Sequence, residues 1–396
     1  MIRKLIVFSV AGAVLTAAFK TSSWGAEPRY ATIYRFEKDS NENSSQECIG
    51  LLYAGSSLFG MTRTGGVHKK GSVFRISPDG TGFKVLHDFT QDPNDGHNPC
   101  GGLIADGDML YGMTSHGGTG KGGSIFRMST DGSSFKIIHN FQGWHFGGDT
   151  PYGSLIADST SLCGMTVRGG TNEVGVIFRI NKDGSGFRFL HSFAGGRTDG
   201  ASPFGTLVAD GDVMYGMTSA GGNRNRGVLF RIGKFGEDYT VLHHFASTSE
   251  NGSSPKGGLV CVADALYGMT FDGGIADKGA IFRMNKDGSK FTILRSFTGS
   301  GAEGSHPRAT LTLIGDTLYG ATYAGGRNEN GVLFRIKTNG KDFLVLRRFG
   351  ESLDAKEHDG IEPYGDLTPV DNVLFGMTRR GGNGGGTIYR YRLSTP

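Results

Sequence analysis

Tyr152, Phe204, Lys256 and Arg308 follow one another at intervals of 52 residues, and Tyr364 comes 56 residues later. Each stands directly after a proline. Three rings and two cations at one recurring position make a set that can hold an acidic sugar. The rings stack on an apolar pyranose face, and the ammonium and guanidinium groups hold a carboxylate or sulfate. His306, two residues before Arg308, can join them. The two positions after each copy of a Gly-Met-Thr motif also vary, holding Arg63, His116, Arg168, Asp272, Tyr323, Arg379 and Arg380. Trp144-His145-Phe146 is a strongly aromatic loop in a connection whose counterparts are polar, and a cluster of exposed rings says more than a single exposed apolar residue.

The same residues admit enzymatic chemistry. A lyase acting on uronic acids needs a base near C5 and a cation on the carboxylate; Tyr152, Tyr364 or His306 with Arg308 supply both. An inverting hydrolase needs two carboxyl groups about 6.5–9.5 Å apart, and these positions offer no Asp or Glu pair. No nucleophile elbow, P-loop, zincin helix or dinucleotide fingerprint occurs, and no cofactor or metal is expected. Solvated loop tips and plugs of a central hole account for the residues equally well.

The elements that must position them follow from the repeat. Gly-Met-Thr or a close variant recurs at Gly60, Gly112, Gly164, Gly216, Gly268, Gly320 and Gly376, with five intervals of 52 residues and a last one of 56. A fixed period means one supersecondary unit copied many times. The second copy reads as four short apolar runs, Pro99 to Ala105, Leu110 to Thr114, Gly123 to Met128 and Phe135 to Phe141, separated by Asp-Gly and Gly-Gly turn signals. Each run is too short for a helix, so the unit is a four-stranded antiparallel meander. The seventh copy stops without a fourth strand, and Tyr30 to Phe36 aligns with the fourth strand Phe83 to Phe89. A ring gains from that arrangement, because the N-terminal strand completes the last blade and leaves no open edge. The expected fold is an all-β, seven-bladed propeller over residues 27–396. The long loops then share one face, with the recurring first-strand position held by Cys48, Cys100, Tyr152, Phe204, Lys256, Arg308 and Tyr364 around the funnel mouth.

Leu-Tyr-Gly-Met-Thr, Gly-Gly, Gly-x-Ile-Phe-Arg, Asp-Gly and Leu-His-x-Phe, in this order, resemble the GloVer tandem repeat over roughly residues 30 to 392. That family of secreted bacterial proteins implies a propeller-like, extracytoplasmic protein and carries no catalytic set with it. Many members bear a C-terminal anchor, whereas here only Ser394, Thr395 and Pro396 follow Leu393.

Residues 1–26 run from Arg3 and Lys4 through an apolar stretch, Leu5 to Phe19, to a small polar segment ending at Ala26. That is the order of a cleaved signal peptide, with a retained N-terminal anchor as the alternative, so a secreted or periplasmic protein with no membrane span in its mature chain is expected. Its removal takes the formal charge from +4 to +1 by deleting Arg3, Lys4 and Lys20. No basic stripe remains for nucleic acid. The partners expected are a polysaccharide or a cell-surface protein, met by a monomer. An oxidising compartment permits a Cys48–Cys100 disulfide, while Cys163 and Cys261 read as buried thiols. One Arg per copy (Arg75 to Arg390) reads as a scaffold residue between blades. His87, His139, His191 and His243, replaced by Arg295, Arg347 and Tyr34 elsewhere, read as polar positions on an outer strand. Asp92 to Asn98 is rich in oxygen donors, but it lacks EF-hand spacing and turn chemistry explains it as well. A binding module, a glycan-active enzyme and a structural surface protein all remain compatible with the chain.

Overall fold

The computed structural model describes residues 29–37, 50–143, 147–301, 303–351 and 359–394. The N-terminal residues 1–28, expected to include a signal peptide, and Cys48 and Trp144-His145-Phe146 lie outside them. Seven antiparallel four-stranded blades form a closed β-propeller. Blade 1 consists of Leu52–Ala54, Ser57–Thr62, Ser72–Ile76 and Lys84–Asp88. In blade 7 the strands Thr368–Val370, Val373–Gly381 and Gly384–Arg392 are completed by Tyr30–Glu37, which pairs antiparallel with Gly384–Arg392. The ring is therefore closed by the N-terminal strand. No helix among the described residues is long and apolar enough to cross a membrane.

The repeated residues build this frame. A Cβ on Gly60 would lie 2.5 Å from the ring of Phe74, its cross-strand partner, and the glycine of every other copy faces the equivalent Phe or Tyr389. Thr62 Oγ1 accepts the backbone N–H of Ser72 at 3.1 Å, and Thr114, Thr218 and Thr322 repeat the bond. Seven apolar clusters follow, each shared by two neighbouring blades. At about 1.5–3 kcal/mol per buried large side chain, these interfaces hold the ring together.

The fourth-strand histidines are not simply rim residues. His87, His139, His191 and His243 stack on Phe135, Phe187, Tyr239 and Phe291 of the next repeat at 3.6, 3.7, 3.6 and 3.9 Å. Arg295 and Arg347 take the same place over Phe343 and Tyr30, and Tyr34 stacks on Phe83. Five of these side chains also bond Asp95, Asp199, Asn251, Glu303 or Asp359. The position is an inter-blade latch, and the Asp-Gly loops supply its polar half. Asp95 also caps its own turn through the N–H of Thr90, and Asp92 accepts from Asn94, so these oxygens are engaged by protein. The repeated arginines differ among themselves: Arg179 is buried against Asp158 at 2.6 Å, whereas Arg231 is exposed. Cys163 is buried as expected, with burial pushing its thiol up to about 11, but Cys261 is only half-buried.

The innermost strand is interrupted in blades 3 to 7, and in blade 2, where Gly96–Asp106 runs through, it shifts register between Cys100 and Ile104. In blade 5, Gly252–Ser253 pairs with Asp272–Gly273 and Val260–Val262 with Ala265–Thr270, leaving residues 254–259 between the two pieces. The residue before each proline, from Asn98 to Glu362, has φ between 52° and 57°. Its N–H reaches a loop carbonyl of the preceding blade, as in Ser254 to Arg226 and His306 to Lys278, both 2.8 Å. That bond explains the left-handed backbone, and the kink turns the residue after the proline toward the axis.

Candidate functional site at the funnel mouth

Tyr152, Phe204, Lys256, Arg308 and Tyr364 line one cavity on the axis, together with Gly153, Gly205, Thr206, Gly257, Gly258 and Asp366. Its walls are close-set. Cβ atoms on Gly153 and Gly205 would lie 2.2 and 2.1 Å from the carbonyl oxygens of Gly205 and Gly257, so the ring narrows only where side chains are absent. Hydroxyls stitch neighbouring inner strands: Ser154 N–H to Thr206 Oγ1 at 2.9 Å and Gly258 N–H to Thr310 Oγ1 at 3.0 Å.

The phenols of Tyr152 and Tyr364 come from blades 3 and 7 and meet at 3.4 Å, bridging the mouth. Arg63 donates to Tyr152 at 3.1 Å on one side, and Arg308 approaches Tyr364 at 3.4 Å on the other. Tyr364 is only 6% exposed, so it shapes the mouth and offers no open face for a sugar. Tyr152 and Phe204, packed edge to face at 5.2 Å, are half-buried.

Beside this bridge lies a cationic pair. Lys256 Nζ sits 3.7 Å from the centre of the Phe271 ring, and the Arg308 guanidinium lies 4.8 Å from the same ring. Arg308 also lies over Tyr323 at 4.7 Å and Tyr364 at 5.5 Å. Cation–π contact holds both charges in place without neutralising them. Neither has a carboxylate within ion-pair distance among the described residues, and Arg308 Nε is buried without a hydrogen-bond partner. Burial first, then Arg308, pushes the Lys256 amine down to about 8, with Asp272 pulling the other way. Across Tyr323 the pattern reverses. Arg379 and Arg380 both bond Glu362, at 3.2 and 3.4 Å, and Arg379 and Glu362 also bond the Tyr323 hydroxyl.

His306 stands at the edge of the cationic group, 4.9 Å from the Phe271 ring and 3.8 Å from Asp272. Burial and Lys278 lower its pKa. Arg168 is not part of this group: it is exposed, its strand residue pairs with Asp149, and its charge acts on His116. His116 stacks with His97 at 5.9 Å on that other arc. Three residues of the mouth were not singled out in the sequence. Phe271 follows Thr270 directly and reads as core; Glu362 hides in the pre-proline position; Asp366 lies two residues beyond Tyr364. Asp366 accepts the Thr310 N–H at 2.6 Å, and enclosure by the ring pushes its carboxyl up to about 6. Among the described residues no group of three His, Cys, Asp or Glu is placed to hold a metal ion.

The profile of the Gloeobacter/Verrucomicrobia repeat matches residues 16–230, 137–300 and 210–396, overlapping along nearly the whole chain. The chain belongs to this repeat family. Within it, the Gly-Met-Thr and latch positions are the shared frame of the chain's own copies, and the mouth is where they diverge. No curated protein sequence matches the chain. Among solved structures, an oligogalacturonate lyase in complex with manganese is similar with a TM-score of 0.56 at 14% identity, covering 89% of this chain and 90% of that one. A puromycin-hydrolyzing peptidase of Mycobacterium tuberculosis gives a TM-score of 0.55 at 13% identity, covering 91% of this chain and 56% of the peptidase. At these identities the likeness is one of fold.

Proposed function

We propose that this member of the repeat family is an extracytoplasmic binding module that holds an acidic glycan at the funnel mouth. Lys256 and Arg308 contact its carboxylates or sulfates, and the half-buried rings of Tyr152 and Phe204 meet its apolar face. One observation carries the reading: Lys256 and Arg308 stand side by side over Phe271 with no carboxylate partner among the described residues, while nearby Arg379 and Arg380 share Glu362. Two adjacent cations repel each other, and an incoming anion relieves that cost while forming charge-assisted hydrogen bonds. The basic-then-apolar order of residues 1–26 supports a location outside the cytoplasm. Wild-type protein is expected to be retained on an immobilised acidic polysaccharide, and the Lys256→Ala, Arg308→Ala double variant to flow through. Equal retention of the two overturns the reading.

A second reading, elimination on a uronate, draws on the Tyr364 hydroxyl lying 3.4 Å from Arg308, a phenol beside a carboxylate-binding cation. It requires release of an unsaturated, ultraviolet-absorbing product from polyuronate. Binding without such release leaves the first reading standing alone.

A further inference from the structure

Besides binding anions, the mouth holds an amine in a setting suited to covalent chemistry. Lys256 lies in the axial cavity with its Nζ lodged against the Phe271 ring at 3.7 Å. Arg308 shares that ring, and Asp272, from the loop that also meets His306, is the acid acting on the amine. A lysine that is desolvated and set beside a second cation loses its proton more readily than a surface lysine, and its free amine is a nucleophile. The neighbouring guanidinium is also what a carboxylate bonded to a reacting carbonyl would seek. Asp366 lines the same cavity as a carboxyl acid.

We infer that Lys256 is a site of reversible imine formation with aldehydes that carry a carboxylate, Arg308 holding the carboxylate while the amine adds to the carbonyl. The inference rests on the anion-binding reading of the mouth and adds a reaction to it. The Lys256 nitrogen lone pair forms a bond to the carbonyl carbon as the C=O π pair moves onto oxygen, which takes up a proton while the nitrogen gives one up. The resulting carbinolamine loses water as the C=N bond forms. Hydrolysis runs the same steps backwards, so no oxidant or reductant is needed. The open-chain form of a sugar acid belongs to this class of aldehyde.

Burial and Arg308 bring the amine to about 8, against about 10.4 for an ordinary lysine, which favours reaction near neutral pH. The experiment uses the full folded chain with glyoxylate and sodium cyanoborohydride at about pH 7.5, the hydride making any imine permanent, followed by peptide mass spectrometry. Lys256 is expected to be carboxymethylated at least about tenfold faster than the exposed Lys69, Lys121 and Lys290. Arg308→Ala is expected to remove most of that preference, and Lys256→Arg to abolish labelling at the site while keeping its charge. Propanal, lacking a carboxylate, is expected to show much less selectivity than glyoxylate. Labelling of Lys256 no faster than the exposed lysines overturns the inference. Equal selectivity with propanal and glyoxylate overturns the assigned substrate class. Retention of the wild-type protein on acidic polysaccharide, measured on the same preparation, separates the two: a retained protein whose Lys256 is not preferentially labelled overturns the imine and leaves the binding reading standing.

Discussion

Two rings of contact run around the axis, and the same 52-residue period treats them differently. At the outer ring a His, an Arg or, once, Tyr34 stacks on the next repeat's aromatic ring and, in five of the seven cases, reaches an acid or amide of the following loop. At the inner ring the copies part company, and among the described residues Lys256 and Arg308 meet aromatic faces in place of counter-ions. In five of its seven copies the repeated outer position has met a polar partner within the protein. Charges held in place yet left open are where a ligand has something to gain.

The sharpest way to break the outer ring is at its closure. Asp359, with a side chain only 4% exposed, accepts from Arg347 at 2.7 Å, from Tyr30 at 2.6 Å and from the Gly350 N–H. Arg347→Ala strands that carboxylate and is expected to cost about 3–5 kcal/mol, read as a large fall in the chemical-denaturation midpoint. Gly216→Ala attacks the frame instead, since its Cβ would lie 2.5 Å from the Phe230 ring. Overpacking there is expected to cost about 1–3 kcal/mol without changing ligand retention in the folded fraction.

Smaller changes sharpen the contrast. Glu362→Gln releases Arg379 and Arg380 from their carboxylate and is expected to raise affinity for polyuronate several-fold in a calorimetric titration. The subtlest test is His139, whose repeat has Gly147 where Asp95 and Asp199 stand in others. Among the described residues its Nε2 is buried without a partner, and burial lowers its pKa to about 4. A histidine depressed on folding binds its proton more readily in the unfolded chain. Its contribution is therefore intact above about pH 6.5 and is lost as pH falls toward the folded value. His139→Phe is expected to flatten the pH dependence of the melting temperature across that window, whereas His191→Phe, which deprives Asp199 of a partner, is expected to destabilise at neutral pH.

The frame was legible in the sequence because periodicity and turn chemistry are local. Gly-Met-Thr, Asp-Gly and the unpaired strand at Tyr30 to Phe36 fixed the blade, the count and the closure. The convergence of Tyr152, Phe204, Lys256, Arg308 and Tyr364 was legible for the same reason, since equivalent residues in a ring face one axis. What the sequence did not reveal depends on contacts between different repeat positions. Phe271 under Lys256, Glu362 neutralising Arg379, and the stacking that turns His191 from a rim residue into a latch all join residues with no shared motif. Arg168 does not join the cations: it lies in blade 3, exposed, with its charge acting on His116.

The most direct test of the central claim compares the two cation pairs that flank Tyr323. Calorimetric titration with polygalacturonate is performed on wild type, on Lys256→Ala, Arg308→Ala and on Arg379→Ala, Arg380→Ala. Loss of two charge-assisted contacts at about 1.5–3 kcal/mol each predicts that the first variant loses about a hundredfold or more in affinity, while the second, whose charges are already spent on Glu362, stays within a few-fold of wild type. Equal losses in both variants, or none in the first, would contradict the account.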